Sequence, residues 1–192
     1  MAVLSDTVLK SVVKNYIEMN RPRNKAEFTW FVEQESLESA VRAAALGSFS
    51  GAKRPRQARR GTEAAFKQAE EILVQRLEAL QTAKTFDAVL ETVERAVLPI
   101  PGLNDLYAYE VAMRIGAYLN FWPKHVYLFT GTRNGAKQLG IVTKKRLLLF
   151  NTIPEPLLAL EPYEVEEALS NFKQLITEPD PAPVASFNRS GE

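Results

Sequence analysis

Leu98-Pro-Ile-Pro-Gly-Leu-Asn-Asp-Leu-Tyr-Ala108 decides the fold of this chain, because it separates two runs of helix-like sequence. From Phe86 to Leu98 the apolar residues follow helical spacing, and they do so again from Asp105 to about Leu119. Proline and glycine between the two runs favour a tight turn. The sequence therefore predicts two helices joined by a short turn.

The turn at Pro101-Gly102-Leu103-Asn104 has residue types that suit phosphate binding. Glycine lets the chain lie against a ligand without a side chain, and Asn104 is expected to adopt a left-handed conformation, which asparagine tolerates. The N–H groups of Gly102 to Asn104 and the positive end of the second helix would then face a phosphate oxygen. The carboxylate of Asp105 would repel a phosphate, however, and an ordinary Pro-Gly turn is the alternative.

In its order of residues, the segment 86–119 resembles the helix-hairpin-helix motif of DNA-handling proteins. That motif has Leu-Pro-Gly, a hydrophobic residue and a second glycine, followed four residues later by the alanine that is Ala108 here. The resemblance implies contact with a phosphate backbone. Many base-excision glycosylases add a downstream aspartate and some add a lysine after the turn. Residues 111–154 contain no acid and Leu106 replaces the lysine, so glycosylase chemistry is not expected.

Charge is unevenly distributed along a chain whose formal net charge is only +1. Residues 39–62 and 111–154 contain no Asp or Glu, and five cations fall within residues 53–60. This segregation favours a basic face that meets phosphates, although solvated surface charge is the alternative. The basic segment has no aromatic residue for base stacking, so it does not indicate single-strand binding.

A second anion-binding candidate lies where Gly131 and Gly135 bracket Thr132. Thr132 is predicted to cap a helix from Arg133 to Leu139, with Lys137 one turn after Arg133. A helix N-terminus beside cations can bind an anion, while an ordinary capped helix is the alternative. The order of a Walker P-loop is absent.

Three short motifs follow the Pro-Gly hairpin in the sequence. They are Arg114-Ile-Gly-Ala117, Val126-Tyr-Leu128 and Gly131-Thr-Arg-Asn-Gly-Ala136. Together with the preceding Pro-Gly hairpin, they make residues 36–140 similar to a set of small bacterial proteins without an assigned activity. The resemblance implies a coherent domain of bacterial type and implies no particular reaction.

The remaining sequence predicts a compact multi-helix domain over residues 1–177 and a disordered tail over 178–192. Five local predictions can be compared with the structure. They are a first helix to about Met19, a break at Arg21-Pro-Arg-Asn24, a longest helix from Thr62 to about Ala83, a strand or buried helix at 126–129, and a final helix over 162–176.

Composition narrows the function. The chain has no cysteine and one histidine, His125, so a metal site, a cofactor and a catalytic centre are not expected. No apolar run is long enough to span a membrane, and a cytoplasmic protein is expected. We predict non-catalytic, sequence-independent nucleic-acid binding, with a protein–protein adaptor as the alternative and an enzyme third. The predicted binding residues are Lys53, Arg54, Arg56, Arg59, Arg60, Gly102, Asn104, Thr132, Arg133, Lys137, Lys144, Lys145 and Arg146.

Overall fold

The computed structural model describes residues 5–49, 61–141 and 144–172 and is mainly α-helical, as predicted. The predicted tail at 178–192 and the basic residues of 53–60 lie outside the described residues. Within the described ranges, no helix is long and apolar enough to cross a membrane. In chain order the helices are α1 (Asp6–Asn15), α2 (Arg21–Val32), α3 (Leu37–Leu46), α4 (Glu63–Val74), α5 (Leu77–Thr82), α6 (Phe86–Val97), α7 (Asp105–Leu119), α8 (Thr130–Gln138) and α9 (Pro162–Ser170).

The predicted break at Arg21–Asn24 is wrong, because the chain stays helical there. A π-helical segment, Tyr16–Asn20, leads from α1 directly into α2. Pro22 lies in the first turn of α2, where its missing N–H is tolerated, and the wider π turn accommodates the ring. The sequence signal for a break was therefore a signal for a change of helix type.

The predicted long helix from Thr62 to Ala83 is also wrong, because it is interrupted at Gln75 and Arg76. Arg76 leaves the helical region, with φ of −105° and ψ of 11°. Leu73 and Leu80 are nevertheless both fully buried on either side of the interruption. The apolar spacing thus continues across the break, which is why the spacing could not reveal it. The longest α-helix among the described residues is α7.

Two apolar clusters form the interior. The larger one is built from α2 to α7 and includes Phe31, Phe66 and Ile115. The second contains α1, α8 and α9 together with a two-stranded antiparallel sheet, β1 (His125–Tyr127) and β2 (Leu147–Leu149). In the segment at 126–129, residues 126 and 127 therefore belong to a strand, and residues 128 and 129 connect that strand to α8. Short 3-10 turns, Phe150–Thr152 and Glu155–Ala159, lead to α9.

Candidate nucleic-acid interface

The helices and turn predicted around residues 98–105 are confirmed as α6, a tight turn and α7, which pack closely on each other. Ile100 N–H donates to Val97 O at 3.0 Å, and Leu103 N–H donates to Ile100 O at 3.2 Å. Gly102 has a φ of +88°, which is the left-handed region that favours glycine. We call residues 98–104 the hairpin turn.

Asn104 does not adopt the left-handed conformation that the sequence predicted. Its backbone is extended, with φ of −139° and ψ of 174°, and its Oδ1 accepts a hydrogen bond from Tyr107 N–H at 3.0 Å. Asn104 is therefore the N-cap of α7. The hairpin turn uses one left-handed residue, Gly102, where the prediction required two.

The hairpin turn faces solvent. Pro101, Gly102 and Asn104 are exposed, and a Cβ at Gly102 would meet no atom within 4 Å. The glycine is therefore needed for its backbone conformation and not for space. Asp105 is also exposed, at the first residue of α7, so its carboxylate lies where an approaching phosphate would be repelled.

Gly61, which directly follows the basic segment, lies beside the hairpin turn. A Cβ on Gly61 would lie 3.1 Å from Leu103 Cδ2 in that turn. Earlier in the chain, Tyr107 Oη of α7 donates to Ala45 O of α3 at 2.7 Å. The predicted binding residues Lys53, Arg54, Arg56, Arg59 and Arg60 themselves lie outside the described residues.

A second group of cations lies beside α6. Arg146 pairs with Glu94 of α6, and its guanidinium also lies 5.7 Å from the Tyr127 ring centroid. Lys144 and Lys145 precede it and are exposed. The ion pair therefore fixes the segment 144–146 to the first helix of the hairpin.

Thr132 is not a helix cap. Its helix, α8, begins at Thr130 with Phe129 as N-cap, and Thr132 is fully buried. Thr132 Oγ1 donates to Glu166 Oε1 of α9 at 2.6 Å and lies 2.9 Å from Ser170 Oγ. The predicted anion-binding residue is therefore engaged with a carboxylate of the protein itself.

Gly135, the second of the two glycines around Thr132, is required for helix packing. A Cβ at Gly135 would lie 2.1 Å from Leu169 O, so α8 and α9 approach too closely for a side chain there. The α8 helix packs chiefly against α9. Arg133 and Lys137 are therefore placed with α9 and the second apolar cluster, and not with the hairpin turn.

Sequence reasoning missed a polar seam between α2 and α9. Glu167 of α9 accepts hydrogen bonds from Tyr16 Oη at 2.7 Å, Asn24 Nδ2 at 2.5 Å and Arg23 Nη2 at 2.7 Å. Burial and the neighbouring Glu167 raise the pKa of Tyr16, so its phenol stays protonated. The sequence signal that could have indicated this seam was the polar run Arg21-Pro-Arg-Asn24. Its partners, Glu164 and Glu167, are far along the sequence, so the run alone does not identify them.

Arg21 adds a bidentate contact with Glu164 to the seam. Its Nε and Nη2 donate to the two carboxylate oxygens of Glu164, each at 2.7 Å. Glu164 is 1% exposed, and its Oε2 also accepts from the backbone N–H of Glu161 at 2.9 Å. A buried carboxylate needs this degree of pairing, so Arg21 joins the start of α2 to the start of α9.

Two further carboxyl groups lie near this seam without a cation of their own. Burial raises the pKa of Glu166 to about 7 and that of Glu110 to about 7. Tyr109 is also buried, and its Oη has no hydrogen-bond partner among the described residues, as is true of Glu110 Oε2. Perturbed titratable groups of this kind mark either a functional site or a structural switch.

His125 begins β1, and its Nδ1 is buried without a hydrogen-bond partner in the described ranges. Within those ranges no group of three His, Cys, Asp or Glu side chains could hold a metal ion.

Comparison with family models, curated protein sequences and solved structures gave no significant match. The resemblances of residues 86–119 and 36–140 therefore remain predictions. Function has to be inferred from the residues of this chain.

Proposed function

We propose that this protein binds the phosphate backbone of nucleic acid, without reading its sequence, at a surface formed by the hairpin turn and the basic segments 53–60 and 144–146. The observation that carries the proposal is the close approach of Gly61 to Leu103, where a Cβ on Gly61 would lie 3.1 Å from Leu103 Cδ2. Gly61 directly follows the most basic segment of the chain, and Leu103 belongs to the turn whose backbone suits a phosphate. We call this set of residues the hairpin surface.

Covalent connectivity limits how far Arg60 can be from the hairpin turn. Consecutive Cα atoms are about 3.8 Å apart, and Arg60 directly precedes Gly61, which lies beside Leu103. Arg59 is one residue further away. An arginine side chain is long and carries a planar donor group that matches phosphate oxygens. These two residues can therefore reach a phosphate held at the hairpin turn.

The segment 144–146 would contribute positive charge to the hairpin surface beside α6. Arg146 is bound to Glu94, and a helix rises about 1.5 Å per residue, which places Glu94 roughly 6 Å along α6 from Leu98. Since Arg146 neutralises Glu94, that acid does not oppose an approaching backbone. The exposed Lys144 adds positive charge beside the first helix of the hairpin.

The hairpin surface differs from the set of residues predicted from sequence. Thr132 is removed because it is buried against Glu166. Arg133 and Lys137 are removed because α8 packs with α9. The cations that remain act through charge, which is the basis of sequence-independent binding.

The experiment is a fluorescence-anisotropy titration with a labelled duplex of mixed sequence over a range of salt concentrations. Each phosphate contact should contribute about 0.9 to the slope of log affinity against log salt. The double variant Arg59→Ala/Arg60→Ala should bind more weakly and have a shallower slope. The matched control, Lys25→Ala/Lys137→Ala, removes the same charge from α2 and α8 and should retain the slope.

Two outcomes would contradict the proposal. One is an absence of duplex binding at low salt, which would leave the protein–protein adaptor as the function to test. The other is an equal loss in both double variants, because it would show that net charge, and not the hairpin surface, drives association.

A further inference from the structure

Glu166 of α9 is buried where α9 packs against α8, and Glu110 of α7 is close enough to act on its charge. Glu166 is 6% exposed, and its Oε1 accepts hydrogen bonds from Thr132 Oγ1 of α8 at 2.6 Å and from Ser170 Oγ of α9 at 3.0 Å. Among the described residues, no cation forms an ion pair with it. Two hydroxyl groups therefore provide all of its polar contacts described here.

The half-buried Glu110 of α7 is the second carboxyl group at this place. Its Oε2 is buried without a hydrogen-bond partner among the described residues. Arg114, one turn later on α7, is the nearest compensating charge, but its Nε donates to Glu27 of α2 at 2.8 Å. Glu27 and Glu167 also face Glu110 and repel its ionised form. The negative charges around Glu110 are therefore only partly balanced by Arg114, which disfavours its ionised form.

The surroundings of both groups favour the protonated form. Burial raises the pKa of Glu166 to about 7, aided by Glu167 and Glu110 and opposed by the hydroxyl groups of Thr132 and Ser170. Burial likewise raises the pKa of Glu110 to about 7, against the effect of Arg114. Burial raises the pKa of the adjacent Tyr109 too, so its phenol stays neutral and adds no further negative charge. Both carboxyl groups therefore change charge close to neutral pH.

We propose that the contact of α9 with α7 and α8 is a pH-operated joint, which is closed when Glu110 and Glu166 carry protons and loosened when they are ionised. Ionisation places two negative charges in a buried region that already contains Glu167. Since buried charges without a partner are unfavourable, the interface opens to hydrate them. The inference does not depend on nucleic-acid binding.

The direction of the effect follows from the position of the two pKa values. Each group has a pKa near 7 in the folded protein and an ordinary value of 4.5 when exposed. The stabilisation from the bound protons is therefore complete below about pH 4.5 and is lost as the pH rises through about 7. Weak acid closes the joint and weak base loosens it.

The protein contains its own reporter of the joint. Trp122 packs against Tyr163 of α9, with ring centroids 5.4 Å apart, and against Phe28 of α2 at 5.2 Å. Trp30 is the only other tryptophan in the sequence. A Trp30→Phe background therefore leaves a single fluorophore that senses how the start of α9 is seated.

The test is a pH titration of Trp122 fluorescence in that background. The parent should show a change with its midpoint near neutral pH, and Glu110→Gln/Glu166→Gln should remove the change and keep the low-pH signal. Glu71→Gln, at an exposed position of α4, is the matched control and should keep the change. A flat parent titration would overturn the proposal. So would a change that persists in the Gln double variant.

If the double variant does not fold, a second measurement tests whether Glu110 and Glu166 ionise near neutral pH. In the wild-type chain, the side-chain carboxyl carbons of Glu110 and Glu166 can be followed by NMR across the same pH range. Both should titrate near neutral pH. Titration of both groups near the ordinary value of a glutamate would overturn the proposal.

Discussion

Gly135 of α8 lies so close to Leu169 of α9 that a Cβ at residue 135 would be 2.1 Å from the Leu169 carbonyl oxygen. Backbone atoms cannot move aside as a flexible side chain can, so Gly135→Ala would force the two helices apart. Overpacking of this kind costs about 1–3 kcal/mol, occasionally more. We expect the free energy of unfolding, measured in urea, to fall by at least about 2 kcal/mol.

Gly131 provides the control for that prediction. It lies one turn earlier on α8, and a Cβ there would be 3.4 Å from Ser170 Oγ, which is an ordinary contact. Alanine is the better helix former by about 1 kcal/mol. Gly131→Ala should therefore leave stability unchanged or raise it slightly. Equal losses in the two variants would contradict the packing role assigned to Gly135.

The conformation of Asn104 can be tested by a pair of substitutions. Because its Oδ1 caps α7, Asn104→Ala should cost about 1 kcal/mol, whereas Asn104→Gly should cost only a few tenths of a kcal/mol. A left-handed Asn104 would give the opposite result for glycine, which would then stabilise the protein. Urea unfolding of both variants distinguishes the two conformations.

Local signals in the sequence predicted the helices well, because apolar spacing and turn residues act over short ranges. They placed α6, the hairpin turn and α7 correctly. They failed where a distant partner decides the role of a residue. Thr132 has the local pattern of a cap, but Glu166 and Ser170 bind its hydroxyl from another helix. Only the packing of α8 on α9 reveals this.

The hairpin surface also combines features that local sequence predicts with contacts that it does not predict. The exposed Gly102 could be predicted from the sequence, and so could the charge of residues 53–60. The contact between Gly61 and Leu103 could not, because nothing in either local sequence indicates the other. Likewise, the pairing of Arg146 with Glu94 brings together residues that are far apart in the chain. The approach of Gly61 to Leu103 and the pairing of Arg146 with Glu94 therefore had to come from the structure.

Asp105 is expected to weaken the proposed nucleic-acid binding. Its exposed carboxylate lies beside the hairpin turn, so Asp105→Asn should raise duplex affinity several-fold at low salt. The same change should lower stability by about 0.3–1 kcal/mol, because an acid at a helix N-terminus is favourable. Anisotropy and urea unfolding measure the two effects separately.

Asp6→Asn is the matched control for Asp105→Asn. Asp6 is also an exposed first residue, in α1, so it should show the same small loss of stability without the gain in affinity. An increase of affinity in both variants would indicate a general charge effect. No increase in Asp105→Asn would argue against phosphate contact at the hairpin turn.

The contact between Arg21 and Glu164 should be worth more than an exposed ion pair. Glu164 is almost fully buried, whereas the Arg21 side chain is 37% exposed, so water screens part of the interaction. Removing one partner of a buried pair costs about 3–5 kcal/mol, and this exposure reduces our expectation for Arg21→Ala to about 1–3 kcal/mol. Arg95→Ala, which breaks an exposed pair with Glu91, should cost no more than about 0.5 kcal/mol. Equal costs in urea unfolding would show that the seam does not hold α9.

The buried carboxyl groups predict a specific pH dependence of stability. Their pKa values of about 7 in the folded protein exceed the ordinary value of 4.5. As the pH rises from about 4.5 to about 7, the free energy of unfolding of the wild type should therefore fall relative to that of Glu110→Gln/Glu166→Gln. One pKa unit corresponds to about 1.4 kcal/mol, and the difference between the two proteins should change by more than about 1 kcal/mol. Urea unfolding of both proteins at several pH values gives this difference, in which ionisations common to the two proteins cancel. A difference that is independent of pH would mean that Glu110 and Glu166 are already ionised in weak acid, and that α9 is held by the seam of Glu164 and Glu167 alone.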